Sequence, residues 1–200
     1  MRRLIFLLLC VLLAGCFTSG KRGGDSAMAI FDFGPPSVNS PVAPRPGLVA
    51  LEVRAPLWLD TLGIGYRLAY LDTARLREYT RARWAGPPAQ MMQQQLAREL
   101  GLLIAGQGQA RCLMHLDITE FSQVFETPVV SHGVLQGRLA LFDRSRRPLA
   151  ELSLNIEEAA PTPDARGGVF ALTAAVNRLP GVVGPWLEAQ KGGAAAGCFD

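Results

Sequence analysis

The alternation of apolar and polar residues predicts β-strands over much of this chain. Residues 48–54 form a compact apolar run typical of a buried strand, and residues 64–70 place apolar side chains on every second position. The same period recurs over residues 112–118, 135–141 and 150–156. Because short links join these last three segments, we expect them to form an antiparallel meander.

Two smaller features complete the strand pattern. Residues 30–34 form a short apolar segment that we expect to pair at the edge of a sheet. Phe121 and Phe125 fall out of phase with the apolar face of residues 112–118. This change of phase indicates a β-bulge near Thr119-Glu120.

Two stretches have the period of an amphipathic helix. The first begins at Pro87-Pro88, places apolar residues at positions 92, 96, 100 and 103, and is expected to end at Gly106. The second is an apolar stripe over residues 169–179, which Pro180-Gly181 interrupts before the stripe resumes at Val183.

The order of these elements predicts the fold class. Residues 76–84 fit a helix face and a strand face equally well, so their periodicity leaves both interpretations open. The remaining order is strands, helix, three strands, helix. It predicts an α+β fold: an antiparallel sheet of about six strands with two main helices packed on one face.

The N-terminus predicts export and lipidation. Met1-Arg2-Arg3 precedes an apolar run over residues 4–13, and Leu12-Leu13-Ala14-Gly15-Cys16 closes it. These are the parts of a secretory signal, and a cut before Cys16 is typical of the lipobox of bacterial lipoproteins. The alternative, a transmembrane helix, needs about 20 apolar residues. Two or more acyl chains on Cys16 would hold the protein stably on a membrane.

The predicted organisation is therefore a signal peptide (residues 1–15), a lipidated cysteine with a flexible tether (16–28), one domain (29–190) and a C-terminal tail (191–200). Within the domain, residues 35–46 carry five prolines and are expected to form an extended connector. Removing the signal leaves about 185 residues, enough for one domain with a sizeable core.

Charge and chemistry exclude several functions. The formal charge of +3 includes Arg2 and Arg3, so the mature domain is close to neutral and a nucleic-acid partner is not expected. The two histidines, His115 and His132, have no third ligand that the sequence identifies. Glu157-Glu158 is typical of a solvated charge pair. We therefore expect no catalytic site, no metal and no cofactor.

The cysteines divide by compartment. Cys10 leaves with the signal and Cys16 carries the lipid, which leaves Cys112 and Cys198 in an oxidising space. A disulfide between them would tie the tail to the core. A buried free Cys112 with an unpaired Cys198 is the other interpretation, and the sequence leaves both open.

Aromatic residues are the remaining candidates for a functional surface. They fall in two groups, the first within two adjacent segments and the second beyond the expected bulge: Tyr66, Tyr70, Tyr79 and Trp84, then Phe121 and Phe125. Core packing is one interpretation. The others are an apolar groove for acyl chains and a docking face for a partner protein. Five arginines flank the first group and are either solvated or placed for an acidic head group: Arg67, Arg75, Arg77, Arg81 and Arg83.

Several motifs follow the lipobox in a fixed order: Leu51-Glu52-Val53, Pro56, Ile64-Gly65-Tyr66-Arg67, Tyr79, Trp84-Ala85, Pro88 with its helix, Cys112-Leu113-Met114-His115-Leu116-Asp117, and Glu120-Phe121-Ser122-Gln123-Val124-Phe125. This order resembles the ABC-type transport auxiliary lipoproteins, which include the PqiC-like proteins. The resemblance covers roughly residues 30–187, nearly the whole mature chain.

The resemblance implies a lipoprotein in the periplasm, tethered to the outer membrane. Such a protein serves a lipid-transport system built on mammalian-cell-entry (MCE) domain proteins and an ABC transporter. The resemblance also implies that Tyr79 and Trp84 belong to a strand and that some members form homo-oligomeric rings. The family has no catalytic residues that could be assigned to positions of this chain. Phe17 follows the lipid site, where an aspartate would favour the inner membrane.

We therefore expect a non-enzymatic adaptor that docks onto an MCE-domain protein. Two alternatives stay open: a carrier domain that itself holds acyl chains between its sheet and helices, and a purely structural envelope lipoprotein.

Replacing Cys16 tests the predicted anchor. Because the lipid is attached to the thiol and cleavage follows lipidation, Cys16→Ala should leave the precursor uncut and unlipidated. Labelled palmitate incorporation and gel mobility measure both steps. Normal globomycin-sensitive maturation of the variant would refute the lipobox.

Overall fold

The computed structural model describes residues 27–35 and 49–199. The predicted signal peptide, Cys16, the tether up to residue 26 and most of the proline-rich connector lie outside the described residues. Within the described ranges, no helix is both long enough and apolar enough to cross a bilayer.

The described chain forms eight strands and two long helices. The strands are β1 (Ala29–Phe31), β2 (Val49–Arg54), β3 (Gly63–Leu68), β4 (Leu76–Trp84), β5 (Leu103–Ile104), β6 (Cys112–Thr127), β7 (Val130–Phe142) and β8 (Pro148–Ala159). The helices are α1 (Pro88–Leu100) and α2 (Ala165–Ala189). Two short 3₁₀ turns, Gln190–Gly192 and Ala196–Cys198, follow α2.

All eight strands belong to one sheet, and β6 lies at its centre. One edge of β6 pairs antiparallel with β7, which pairs in turn with β8. The other edge pairs in parallel with β2 along its first half and with β3 along its second half. The strand β5 extends the sheet beyond β2, whereas β4 and β1 extend it beyond β3.

The predicted sheet is partly right. The meander β6–β8 is antiparallel as expected, but the described sheet has eight strands and is mixed. The strands β1 and β5 are only three and two residues long, so they carry little alternation. The parallel pairing of β2 and β3 with β6 depends on contacts between distant segments, which local periodicity does not record.

The predicted bulge lies where the apolar face changes phase. The register of β6 against β7 shifts between Ile118, which faces Gly137, and Glu120, which faces Gln136. Thr119 is therefore the extra residue. A Cβ atom at Gly137 would lie 2.5 Å from the carbonyl oxygen of Asp117, so a glycine fits this close approach.

The segment of ambiguous periodicity is the strand β4, as the resemblance implies. The helix α1 follows it, and the Asp60 carboxylate accepts a hydrogen bond from the backbone N–H of Ala89 in its first turn, at 3.0 Å. The predicted end of this helix is wrong. It ends at Gly101, which has φ 63°, instead of Gly106, and Leu103 belongs to β5.

The predicted interruption of α2 is also wrong. The helix runs without a break from Ala165 to Ala189, although Pro180 and Pro185 lie within it. Its apolar stripe stays buried past the first proline, and Val183 and Leu187 are fully buried. Packing of this stripe outweighs the hydrogen bonds that the prolines remove.

Both helices contact each other and cover the same face of the sheet. Fully buried side chains from the strands and from both helices fill the layer between them: Leu51, Ile64, Met92, Leu96, Met114, Leu116, Leu135, Leu139, Leu141, Leu172 and Val183. The opposite face of the sheet remains more open to solvent, and alternate residues of β8 are exposed there.

A disulfide joins Cys112, at the start of β6, to Cys198 near the C-terminus, and their Cα atoms lie 5.5 Å apart. Both cysteines are buried. Because 86 positions separate them, the bridge removes much conformational freedom from the unfolded chain. Such a bridge typically stabilises a domain by about 2–4 kcal/mol.

Trp84 tests the packing of the core. The ring is 1% exposed and lies 5.2 Å from the ring of Phe33 and 5.7 Å from that of Phe121, between centroids. Trp84→Ala should lower the free energy of unfolding by about 3–5 kcal/mol, measured by urea unfolding and circular dichroism. Trp58→Ala, which truncates a ring that is 64% exposed, is the matched control and should change it little. A loss below about 1 kcal/mol for Trp84→Ala would contradict this core.

Candidate functional site

The structure separates the six aromatic candidates into three places. Trp84 and Phe121 pack with Phe33 inside the core. Tyr66, Tyr79 and Phe125 form a second cluster near the beginning of α2. Tyr70 lies apart, on the turn after β3, and is 40% exposed. The six residues therefore do not form one continuous groove or docking face.

A buried polar network holds the second cluster in place. The rings of Tyr66 and Tyr79 stack with centroids 4.5 Å apart. The Tyr79 hydroxyl donates to Oε1 of Gln123 at 2.7 Å, and Nε2 of Gln123 donates to Oγ of Ser131 at 2.7 Å. Gln123 is fully buried because Gly168 of α2 packs directly against its amide.

The protonation state of Tyr79 indicates that this network has a structural role. Burial raises the pKa of the Tyr79 hydroxyl, and the neighbouring Tyr66 and Asp164 raise it further. The hydroxyl therefore stays protonated and keeps donating to Gln123. A tyrosine that acted as a base or nucleophile would need the opposite shift.

The flanking arginines do not share one role. Nη2 of Arg67 lies 3.0 Å from Oε2 of Glu120, and both side chains are mostly buried. Nη1 of Arg67 also donates to the carbonyl oxygens of Thr73 and Ala74, at 3.4 and 3.3 Å. Arg67 therefore fixes the turn between β3 and β4. Arg75 at the end of that turn is exposed.

The two histidines lie in different surroundings. His115 is on the open face of the sheet, with Nε2 3.2 Å from Oε2 of Glu52, and Arg54 binds the same carboxylate at 2.7 Å. Burial lowers the pKa of His115 and Arg54 lowers it further, while the hydrogen bond from Arg54 holds the pKa of Glu52 below its usual value. His132 lies 3.5 Å from Glu126.

Arg54 and Glu52 form an ion pair at the surface, and His115 lies within hydrogen-bond distance of the same carboxylate. Among the residues that the structure describes, no group of three or more His, Cys, Asp or Glu side chains is placed to hold a metal ion.

An exposed apolar loop between β2 and β3 was not predicted. Leu57 is 88% exposed, Trp58 64% and Leu62 41%. We call these three residues the Trp58 loop. The loop is fixed from beneath, because Leu59 is buried and Asp60 binds the first turn of α1. Its sequence signal is weak: an apolar cluster directly after Pro56 that has neither the strand nor the helix period.

A groove runs between β1 and α2, with a volume of about 570 Å³. The side chains at its rim include Ile30, which is 56% exposed, and Phe170, which is 62% exposed. The groove lies outside the packed layer between the sheet and the helices. Arg166, Thr173 and Asn177 add polar groups to its lining.

Comparison with known proteins agrees with the motifs. The sequence model of the family described as "ABC-type transport auxiliary lipoprotein component" matches residues 32–181. This match confirms the resemblance. No curated protein matches the chain in sequence.

Two crystal structures show the same fold. One is of an uncharacterized protein: the TM-score is 0.62 at 14% identity, over 80% of this chain and 99% of that one. The other is protein XCC0632 from Xanthomonas campestris, with a TM-score of 0.62 at 15% identity, over 82% of this chain and 96% of that one.

Tyr79→Phe tests the buried network. Removing the hydroxyl leaves Oε1 of Gln123 buried without its donor, so the free energy of unfolding should fall by about 1–3 kcal/mol. Urea unfolding at neutral pH measures this change. Tyr66→Phe is the matched control, because it removes the hydroxyl of the stacked ring outside this network. Equal effects of the two variants would show that the bond to Gln123 contributes nothing.

Proposed function

Because the chain belongs to the family of ABC-type transport auxiliary lipoprotein components, we propose that it is a non-catalytic adaptor in a lipid-transport system. In this proposal Cys16 carries the lipid anchor and the domain lies in the periplasm. An MCE-domain protein of the same system docks onto the domain, which positions that protein at the outer membrane.

The family match is the observation that carries the proposal. The matched residues 32–181 run from the end of β1 to the middle of α2, so they include most of the sheet and the helix α1. The family description names an auxiliary component of transport, and an auxiliary component works through contacts with other proteins.

The packing supports an adaptor over an internal carrier. A carrier that holds acyl chains between its sheet and helices needs an apolar cavity there. Close-packed side chains occupy that layer instead, including Leu51, Met114 and Leu139, none of which is exposed.

The anchor is proposed from the sequence. The lipobox places Cys16 at the start of the mature chain, and Phe17 follows it where an aspartate would favour the inner membrane. We therefore propose the outer membrane as the site of the anchor. A ring of identical subunits, as the resemblance implies for some members, belongs to the same proposal.

A second candidate function is direct lipid carriage in the external groove. The groove of about 570 Å³ between β1 and α2 has an apolar rim, which favours binding of a single acyl chain. Its position at the surface distinguishes this candidate from the internal carrier.

Affinity purification of the tagged full-length protein from envelope extract separates these functions. The adaptor should capture an MCE-domain protein without a stoichiometric lipid in the organic extract, and mass photometry of the eluate should give the number of copies. A stoichiometric phospholipid without a protein partner would support the carrier. Capture of neither, with unchanged membrane permeability on deletion, would support a structural envelope lipoprotein.

The Trp58 loop is the surface that we propose for the partner. Tryptophan is enriched among the residues that dominate protein interfaces, and an immobile loop loses little entropy on binding. Trp58→Ala should therefore reduce the captured MCE-domain protein about tenfold, while the melting temperature stays within about 2 °C of the wild type.

Phe170→Ala is the control for this experiment. Phe170 is 62% exposed, close to the 64% of Trp58, but lies on the rim of the groove. It should leave capture unchanged. Normal capture of the partner by Trp58→Ala would show that the loop is not part of the interface. An equal loss of capture in both variants would show the same.

A further inference from the structure

Four large apolar side chains are exposed at one end of the sheet. Tyr70 is 40% exposed, Leu71 67%, Val129 74% and Val130 43%. We call these four residues the apolar tip. None of them is needed by the buried core or by the Trp58 loop.

Strand pairing brings the two halves of the tip together. The strands β3 and β6 run in parallel, with Leu68 opposite Phe125, and the backbone N–H of Ala69 donates to the carbonyl of Phe125 at 2.9 Å. The turn that contains Tyr70 and the hairpin that contains Val129 therefore leave the sheet at the same end.

Both turns are held by hydrogen bonds. Oδ1 of Asp72 accepts from the backbone N–H of Ala74 at 3.0 Å, and Arg67 binds the carbonyl of the same residue. In the hairpin, Oγ1 of Thr127 accepts from the N–H of Val130 at 3.0 Å. These hydrogen bonds hold the apolar side chains in fixed, exposed positions. An exposed apolar patch of this kind is typical of a site that binds another surface.

The path of the chain indicates which surface this is. The strand β1 runs parallel to β4, with Ala29 opposite Ala82 and Phe31 opposite Trp84. Because β4 starts at the tip end, the chain enters β1 from the side of the tip. Met28, which directly precedes β1, is another exposed apolar residue at 49%.

The tether is long enough to bring the anchor level with the tip. Residues 17–28 separate Cys16 from β1, and an extended segment of that length spans roughly 40 Å. The stretch of β4 from Ala82 back to Leu76 spans only about 20 Å. A lipid on Cys16 can therefore lie in the membrane while the tip touches the same surface.

We propose that the apolar tip lies in the head-group region of the membrane that holds the lipid anchor. This inference rests on the proposed lipidation of Cys16. The acyl chains hold the protein, and the tip orients it, with the phenol ring of Tyr70 at the boundary between water and lipid. The end that carries the disulfide and the turn at Arg144 then faces away from the membrane.

This orientation keeps the Trp58 loop accessible. The strand β2 ends at Arg54, opposite Asp117 of β6, and the loop follows this point. Asp117 lies well before Phe125 along β6, so the loop is set back from the tip.

Photo-cross-linking in cells tests the contact. The photoreactive residue p-benzoylphenylalanine replaces Leu71 or Val129 in the full-length lipoprotein. It replaces Arg144 at the far end or Leu57 in the Trp58 loop, which is 88% exposed, as controls. After irradiation, mass spectrometry of purified protein measures phospholipid adducts. Positions 71 and 129 should give at least fivefold more lipid adduct than positions 144 and 57.

Two results would overturn the inference. Equal lipid adducts at all four positions would mean that the tip has no preferred membrane contact. Adducts of positions 71 and 129 with a protein would assign the tip to a partner.

The same samples report on the anchor through their partition into Triton X-114. A lipidated protein without tip adducts defeats only this inference, whereas a protein without lipid defeats the proposed anchor and the inference together.

Discussion

The pairing of β6 along both of its edges determines where every other element lies. This strand is 16 residues long, and one edge carries β7 while the other is shared by β2 and β3. The extra residue Thr119 lies between the halves that these two strands use. Because side chains alternate across a strand, one added residue keeps Phe121 and Gln123 on the same covered face as Met114 and Leu116. Without it, the second half of β6 would turn its apolar residues to the open face.

The same arrangement places exposed apolar residues at two positions on the surface. Since β2 and β3 share one edge of β6, the chain must leave the sheet between them, and this excursion forms the Trp58 loop. Since β3 and β6 end together, their turns form the apolar tip. The helices meanwhile close the covered face with packed side chains. The fold thus has two apolar surfaces and a closely packed interior, which fits the proposed adaptor between a membrane and a partner.

The sequence pattern predicted β2 from its apolar run, and it predicted β3 and β6–β8 from the alternation of apolar and polar residues. The bulge followed from the change of phase within β6. Periodicity alone could not assign β4, because its exposed residues weaken the alternation. The family resemblance indicated that this segment is a strand. Periodicity extended α1 to Leu103 because that residue fits the helical period by coincidence, although Gly101 ends the helix. Two of the six aromatic candidates, Trp84 and Phe121, belong to the core. Trp58 was not among the candidates, because an exposed residue in a loop without periodicity has no recognisable sequence pattern.

Native mass spectrometry of the full-length protein, released from membranes in mild detergent, tests the central claim most directly. An anchored adaptor with a filled interior should have the mass of the mature chain plus the covalent lipid on Cys16. No phospholipid should stay bound when the collision energy is raised. A phospholipid that persists at one copy per chain, or a mature chain without covalent lipid, would contradict the account.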